Sequence, residues 1–257
     1  MLTPPEIARS LLAAGESKAR LPLGKMLLLA ILAGAYIALA GVGATAAAVT
    51  VESGSLAKLL SACVFPAGLS MVILAGSELF TGNCLMVMVL LERRITPAQL
   101  LRNWLTVYLG NAVGGAAVAA LAVYSHTASL FGDGLARSMV SIAESKAALG
   151  AGDAFLRGVL CNFLVCLAVW MAAASKRAEG KVIALFFPIL LFVLCGYEHC
   201  IANLYYLPAG AFAAAEYGME TTLTLAGCLE NLAAVTLGNL VGGAALGVGY
   251  RFAYLKE

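Results

Sequence analysis

The chain has 257 residues, of which 62% are hydrophobic and only 12% charged, and its formal net charge is +2. A mean hydropathy of +0.93 is more than a water-soluble domain needs and matches repeated apolar spans of about 20 residues. So small a net charge, with no basic run and no RNA-binding signature, excludes nucleic acid as a partner.

Residues 4–24 are expected to form an amphipathic N-terminal helix lying on the membrane surface. They do not read as a signal peptide, because Glu6 stands where a positive n-region belongs. Ile7, Ala8, Leu11 and Leu12 fall at helical spacing. A first charge-free span covers about 26–51, with Gly34 and Gly41 suited to close helix contact. A second apolar run follows Lys58, is interrupted by GSELFTGN at 76–83, and resumes to Leu91, where Glu92, Arg93 and Arg94 close it. A third span covers about 103–124. Residues 125–153 are too polar to span and long enough to form a cap or vestibule; His126 there is expected to be exposed. Spans four, five and six are placed at about 154–175, 187–215 and 221–250.

The fifth span organises the rest. FPILLFVLCGYEHCIANLYYLP, at 187–208, is apolar enough for lipid yet carries Glu198 and His199 near its middle. A carboxylate and an imidazole at bilayer depth are costly and normally face a bundle interior, a water-filled path or each other. Gly196 before them and Pro208 after them mark the easiest places to break a helix. The segment therefore reads as a discontinuous transmembrane helix with His199 facing a solute. The seven cysteines all lie in apolar stretches without a CxxC spacing and read as small buried hydrophobes, not as a disulfide framework or metal site.

With six spans, both termini lie on one side of the membrane. Twelve of the sixteen Lys and Arg residues, Lys256 among them, fall on that side, against Lys58, Arg137, Lys146 and Arg157 on the other. The excess of positive charge places the termini in the cytoplasm.

The two halves match each other. GSELFTGN (76–83) and GYEHCIAN (196–203) share Gly, Glu and Asn at one spacing, each preceded by a Phe-Pro pair. NWLTVYLGNAVGGA (103–116) and NLAAVTLGNLVGGA (231–244) agree at nine of fourteen positions. Units of three spans, about 26–124 and 154–252, are inverted relative to each other, because an odd number of crossings flips the second copy. Inverted repeats with interrupted helices point to a transport path at the midplane.

A helix that starts inside the membrane presents unpaired N–H groups and partial positive charge, so two such ends aimed at one point attract a small anion. Thr81 and Asn83 on one side, His199 and Asn203 on the other, supply donors. Glu78 and Glu198 occupy equivalent repeat positions and either accept hydrogen bonds from the broken-helix loops or touch the solute; an anion path favours the first, supporting role. His199 has Leu79 as its counterpart, an asymmetry that favours function. Asn111 and Asn239 either tie helices together or line the path. Lys146, close to Glu144, is either a solvated lysine or one that draws anions to a mouth.

At these residues the sequence resembles the formate/nitrite transporter family, over essentially the whole chain. ELFTGN, the NW…GN…G pattern of span three, RGVLCNFLVCLAVWMA (157–172), GYEHCIANLYYLP and NLAAVTLGN carry the likeness. The resemblance implies an all-α, aquaporin-like protomer of six transmembrane helices with helices two and five broken. It also implies a homopentamer in the inner membrane with one pore per protomer. Proteins of this family pass small monovalent anions such as formate, nitrite, hydrosulfide and lactate, often with a proton. Carried over by motif, His199 is the central histidine and Thr81 the threonine of the helix-two loop. Asn203 and Asn239 are pore-side asparagines, and Lys146 is the lysine before span four. Apolar constrictions are expected from Phe65, Leu69, Leu79, Phe80, Val165 and Phe192.

Formate is the expected solute, possible proton coupling running through His199, with nitrite or hydrosulfide as alternatives. A haem- or quinone-binding subunit is the rival from another class; bis-histidine ligation needs paired histidines in the spans, and His199 alone is so placed. A neutral-solute pore is a further rival. HExxH, GxSxG and Walker sequences are absent, so neither enzymatic hydrolysis nor ATP-driven pumping has its residues, and no cofactor is expected.

Overall fold

Within the described residues, 1–255 of a computed structural model, all regular structure is helical. Lys256, counted above for orientation, lies outside them. Helix α1 (Pro4–Ala19) starts on a capping box in which Glu6 accepts from the Thr3 N–H, a bond that holds the Glu6 carboxyl below its usual range. α2 (Leu23–Ala48) follows. α3 (Gly54–Val64) runs on through Phe65 into α4 (Pro66–Ala75), which stops at Gly76, left-handed at φ 77°. After extended backbone at Leu79, the chain coils again as α5 (Phe80–Asn83) and α6 (Met86–Leu91). α7 (Pro97–Tyr124) is a continuous helix; a 3-10 turn and α8 (Gly134–Ala147) come next, then α9 (Ala151–Ala173). α10 (Ala178–Leu194) gives way at Gly196, left-handed at φ 69°, and α11 (Cys200–Glu216) restarts after extended His199. α12 (Leu225–Tyr254) completes the order.

Five stretches, Leu23–Ala48, Gly54–Ala75, Pro97–Tyr124, Ala151–Ala173 and Leu225–Tyr254, are long and apolar enough to cross a bilayer. α10 and α11, of 17 residues each, follow one another across the Gly196 interruption. Large apolar side chains such as Leu105, Leu109, Leu121 and Leu237 point outward, a surface suited to lipid and not to water. The chain is a multi-pass membrane protein.

Lipid supplies no hydrophobic drive between helices, so close backbone approach does the work. α2 packs along α7, and α9 along α12. At the first crossing a Cβ on Gly34 would run into the backbone of Asn111, and one on Gly114 into that of Ile31. At the second, Gly242 meets Val159 and Gly238 meets Phe155 in the same way.

Several boundaries differ from the sequence-based expectation. α1 ends at Ala19 and not at 24, because Pro22 disfavours helical backbone just before it. Its apolar face, with Ile7, Ala8 and Leu12, is buried with Met86, Val89 and Trp170. α7 starts at Pro97, six residues early, where Thr96 and Gln99 form a capping box. α10 starts at Ala178, nine residues before the fifth span was expected, and so takes in Lys181. Pro208 lies inside α11 without breaking it; the Leu204 carbonyl that it leaves without an i+4 donor faces Gly115 of α7. Cys63 and Cys195 are exposed, unlike the buried Cys84, Cys161, Cys166 and Cys200.

The crossings predict the effect of a single methyl group. Gly114→Ala should lower stability by about 1–3 kcal/mol through overpacking. Gly249→Ala, where a Cβ meets nothing within 4 Å, should leave it unchanged. Thermal unfolding in detergent measures both, and equal melting temperatures would contradict the packing described.

Candidate functional site

The two interruptions, Gly76–Leu79 and Gly196–His199, leave backbone N–H and C=O groups that no helix satisfies. Two buried asparagines from the long helices bond them. Asn111 of α7 accepts from the Phe80 N–H at 3.0 Å and donates to the carbonyls of Ala30 and Glu78 at 2.7 and 2.9 Å. Asn239 of α12 accepts from the Cys200 N–H at 2.9 Å and donates to Gly158 and Glu198 at 2.8 and 2.9 Å. The loops are further pinned by Glu78 N–H to Leu29 and Glu198 N–H to Arg157, at 3.2 and 3.3 Å.

The side chains of the loop carboxylates are held in a second matched set. Glu78 accepts from Asn83, which also donates to Asn103, and from Lys18 at 2.9 Å. Glu198 accepts from Asn203, which also donates to Asn231, and from Lys146 through both oxygens at 3.0 and 2.9 Å. All four asparagines are buried. Lys146 also lies over the Tyr206 ring, 5.3 Å from its centroid. It does not pair with Glu144. That carboxylate takes the Thr222 N–H and the Thr221 and Thr222 hydroxyls, which hold it below its usual range.

Between the two loops, His199 and Thr81 meet. His199 is the N-cap of α11 and its Nδ1 accepts the Ala202 N–H at 3.0 Å; Nε2 lies 2.9 Å from Thr81 Oγ1. A ring nitrogen that accepts an N–H carries no proton, so the hydrogen sits on Nε2 and is donated to Thr81 Oγ1. The Thr81 hydroxyl proton is thereby left for another acceptor. The Thr81 carbonyl is taken by Asn162 at 3.2 Å and Cys166 at 3.3 Å.

Two cavities flank this contact. One, of about 300 Å³, lies on the α1 side and is lined by Leu69, Leu79, Gly82, Lys18, Glu78 and Lys181 among others. The other, of about 360 Å³, lies on the α8 side and is lined by Phe65, Phe192, His199, Asn203, Lys146 and Glu198 among others. Phe65 and Phe192 meet edge-on at 5.6 Å, and Phe192 stacks on His199 at 5.8 Å. Leu69 and Leu79 therefore line the α1-side cavity, Phe65 and Phe192 the α8-side one. Phe80 and Val165 are not among the residues lining either cavity. Phe80 packs edge-on against Tyr108 at 5.1 Å and Trp104 at 6.4 Å, and Val165 is buried in the same core. Asn239 is likewise absent from both linings, its bonds going to the Cys200 loop. His126 is exposed. Among the described residues no group of three His, Cys, Asp or Glu side chains is placed to hold a metal.

Lys18 is the residue that sequence reasoning overlooked. Its signal was present: the tetrapeptide ESKA occurs at 16–19 and again at 144–147, with the same separation that relates Asn103 to Asn231 and Asn111 to Asn239. The amphipathic look of α1 hid it, because a lysine on such a helix normally faces water.

Comparison with known proteins gives one consistent result. The family model described as formate/nitrite transporter matches residues 5–253. A probable formate transporter of Methanothermobacter thermautotrophicus is 38% identical over 99% of this chain and 98% of its own. A solved structure titled FNT family ion channel superposes with a TM-score of 0.87 at 32% identity, covering 96% of this chain and 98% of its own. A pentameric formate channel with formate bound has a TM-score of 0.81 at 32% identity, over 91% and 98%.

Removing an asparagine tests the loop scaffold. Asn239→Leu strips the bonds from the Cys200 N–H and the Glu198 carbonyl, at about 1–3 kcal/mol for each buried group left unpaired. The variant should melt well below the parent in detergent. A melting point equal to the parent's would contradict the scaffolding role.

Proposed function

The chain belongs to the formate/nitrite transporter family, and from that premise we propose that it conducts small monovalent anions, formate foremost, through a pore inside each protomer. On this proposal the chain makes six crossings in an inverted 3+3 repeat, about 26–124 and 154–252. The second crossing is α3 to α6 and the fifth α10 with α11, each interrupted at its middle. Five such chains form a homopentamer in the inner membrane, with both termini and the α1-side cavity cytoplasmic. The pentameric formate channel among the similar structures supports the assembly, and the Lys and Arg distribution supports the orientation.

The observation that carries the proposal is the contact of Thr81 and His199 at 2.9 Å, where two helix starts meet between two cavities. An anion entering either cavity meets an apolar constriction, Leu69 with Leu79 on one side and Phe65 with Phe192 on the other. A bare charge crosses such a ring only at high cost. The midpoint offsets part of that cost without a buried cation, through the Thr81 hydroxyl and the partial positive charge at the starts of α5 and α11. Glu78 and Glu198 do not repel the solute there, because lysine and asparagine neutralise and occupy them.

His199 acts in its neutral form as a donor that orients Thr81. A proton that neutralises the anion comes from water in the cavities, since the imidazole uses Nδ1 to cap α11. Charging the ring at Nδ1 breaks that cap, so protonation of His199 and opening of the first turn of α11 are coupled. This gives transport a pH dependence seated in one residue.

Uptake into liposomes, with formate, nitrite and hydrosulfide compared with and without a proton gradient, tests the proposal. Formate flux above empty liposomes is expected, and water or glycerol flux without anion competition would overturn it. His199→Phe should flatten the pH dependence of uptake. An unchanged profile would remove the histidine from the mechanism.

A further inference from the structure

Lys18 and Lys146 are the cations bonded to the carboxylates of the two loops, yet neither adds net charge to its cavity. Each is neutralised by the one carboxylate lining that cavity, Glu78 or Glu198. The unbalanced charge lies elsewhere. Lys58 and Arg157 line the α8-side cavity and Lys181 the α1-side one, and none of the three forms an ion pair among the described residues. The Lys58 ammonium lies 4.0 Å from the Cβ position of Gly196, directly over the interruption before His199. Lys146, Glu198 and Arg157 are its electrostatic neighbours.

The two lysines also hold corresponding places. Lys58 lies in the first turns of α3 and Lys181 in the first turn of α10. Each of these helices leads through a Phe-Pro pair, Phe65-Pro66 or Phe187-Pro188, toward an interruption. The repeat thus sets one uncompensated lysine at each mouth.

We infer that Lys58 captures small monovalent anions at the outer mouth and Lys181 at the inner mouth, while Lys18 and Lys146 position the carboxylates of the loops. The inference rests on the channel function proposed above and assigns its entry sites. A capture charge works through space, so its effect is sided, screened by salt and restored by any side chain of the same charge.

Formate uptake into and efflux from proteoliposomes of defined orientation tests this. At ionic strength near ~10 mM, Lys58→Gln should raise the half-saturating formate concentration about threefold for entry from the outer face. That is the effect of one unit charge ~7 Å from the ion in water. Lys181→Gln should do the same for entry from the inner face. Both shifts should shrink toward nothing near ~1 M salt, where the Debye length is about 3 Å, and Lys58→Arg and Lys181→Arg should reverse them. Unshifted half-saturation at low salt, or a shift that salt does not reduce or that charge-preserving arginine does not reverse, would overturn the inference. No formate flux in the unmodified protein would overturn the channel proposal itself, and this inference with it.

Discussion

A helix interrupted inside an apolar bundle exposes amide and carbonyl groups that its apolar neighbours cannot bond, and this constraint shapes the rest of the structure. Residues 76–79 and 196–199 face it in the same way. One asparagine from each long helix, Asn111 or Asn239, accepts the first amide of the restarted helix and donates to the loop carbonyl. Around each loop, a carboxylate, two further asparagines and a lysine form a connected set of hydrogen bonds, which leaves only Asn203 Oδ1 without a partner. Taking two carboxylates out of water is tolerable only because every one of these partners is present. The glycines at the α2–α7 and α9–α12 crossings serve the same end, since the asparagine side chains reach the loops only if the backbones lie close.

This arrangement separates scaffold from chemistry. Glu78, Glu198, Asn83, Asn111 and Asn239 spend their polar groups on backbone, on lysine or on asparagine, which accounts for carboxylates beside a proposed anion path. What remains near the midpoint is small: a threonine hydroxyl, an imidazole fixed in one tautomer, and the partial positive charge at two helix starts. Hydrogen-bond donors of this kind favour an anion over a cation and discriminate poorly among small anions. On the proposed path, selection is then left to the size of the openings at Leu69 and Leu79 and at Phe65 and Phe192. The proposed path is thus polar at one point only, where the two half-helices meet.

Much of this was legible in the sequence, because polar residues inside apolar spans are few and each needs a reason. GSELFTGN and GYEHCIAN marked both interruptions, and the match of 103–116 with 231–244 paired the asparagines that support them. Other features were not legible. Asn239 looked like a residue lining the path, but which way an asparagine points depends on the loop it reaches, and that is tertiary information. Phe80 sits next to Thr81 in sequence, yet helical geometry turns its ring toward Tyr108 and Trp104. Pro208 looked like a breaker; one proline needs only one carbonyl accommodated, and Gly115 leaves room for it. Lys18 was concealed because local amphipathicity carries no record of a partner sixty residues away.

The central claim is that two half-helices, one carrying Thr81 in its first turn and the other capped by His199, act as a single site for a small anion. A double-mutant cycle on formate flux at constant pH, with Thr81→Val, His199→Phe and the pair, measures this most directly. If the hydroxyl works only through the imidazole that orients it, the double variant should conduct no worse than the poorer single variant, a coupling of roughly 0.5–3 kcal/mol. Losses that simply multiply would mean that the two residues act independently, and the single-site account would fail.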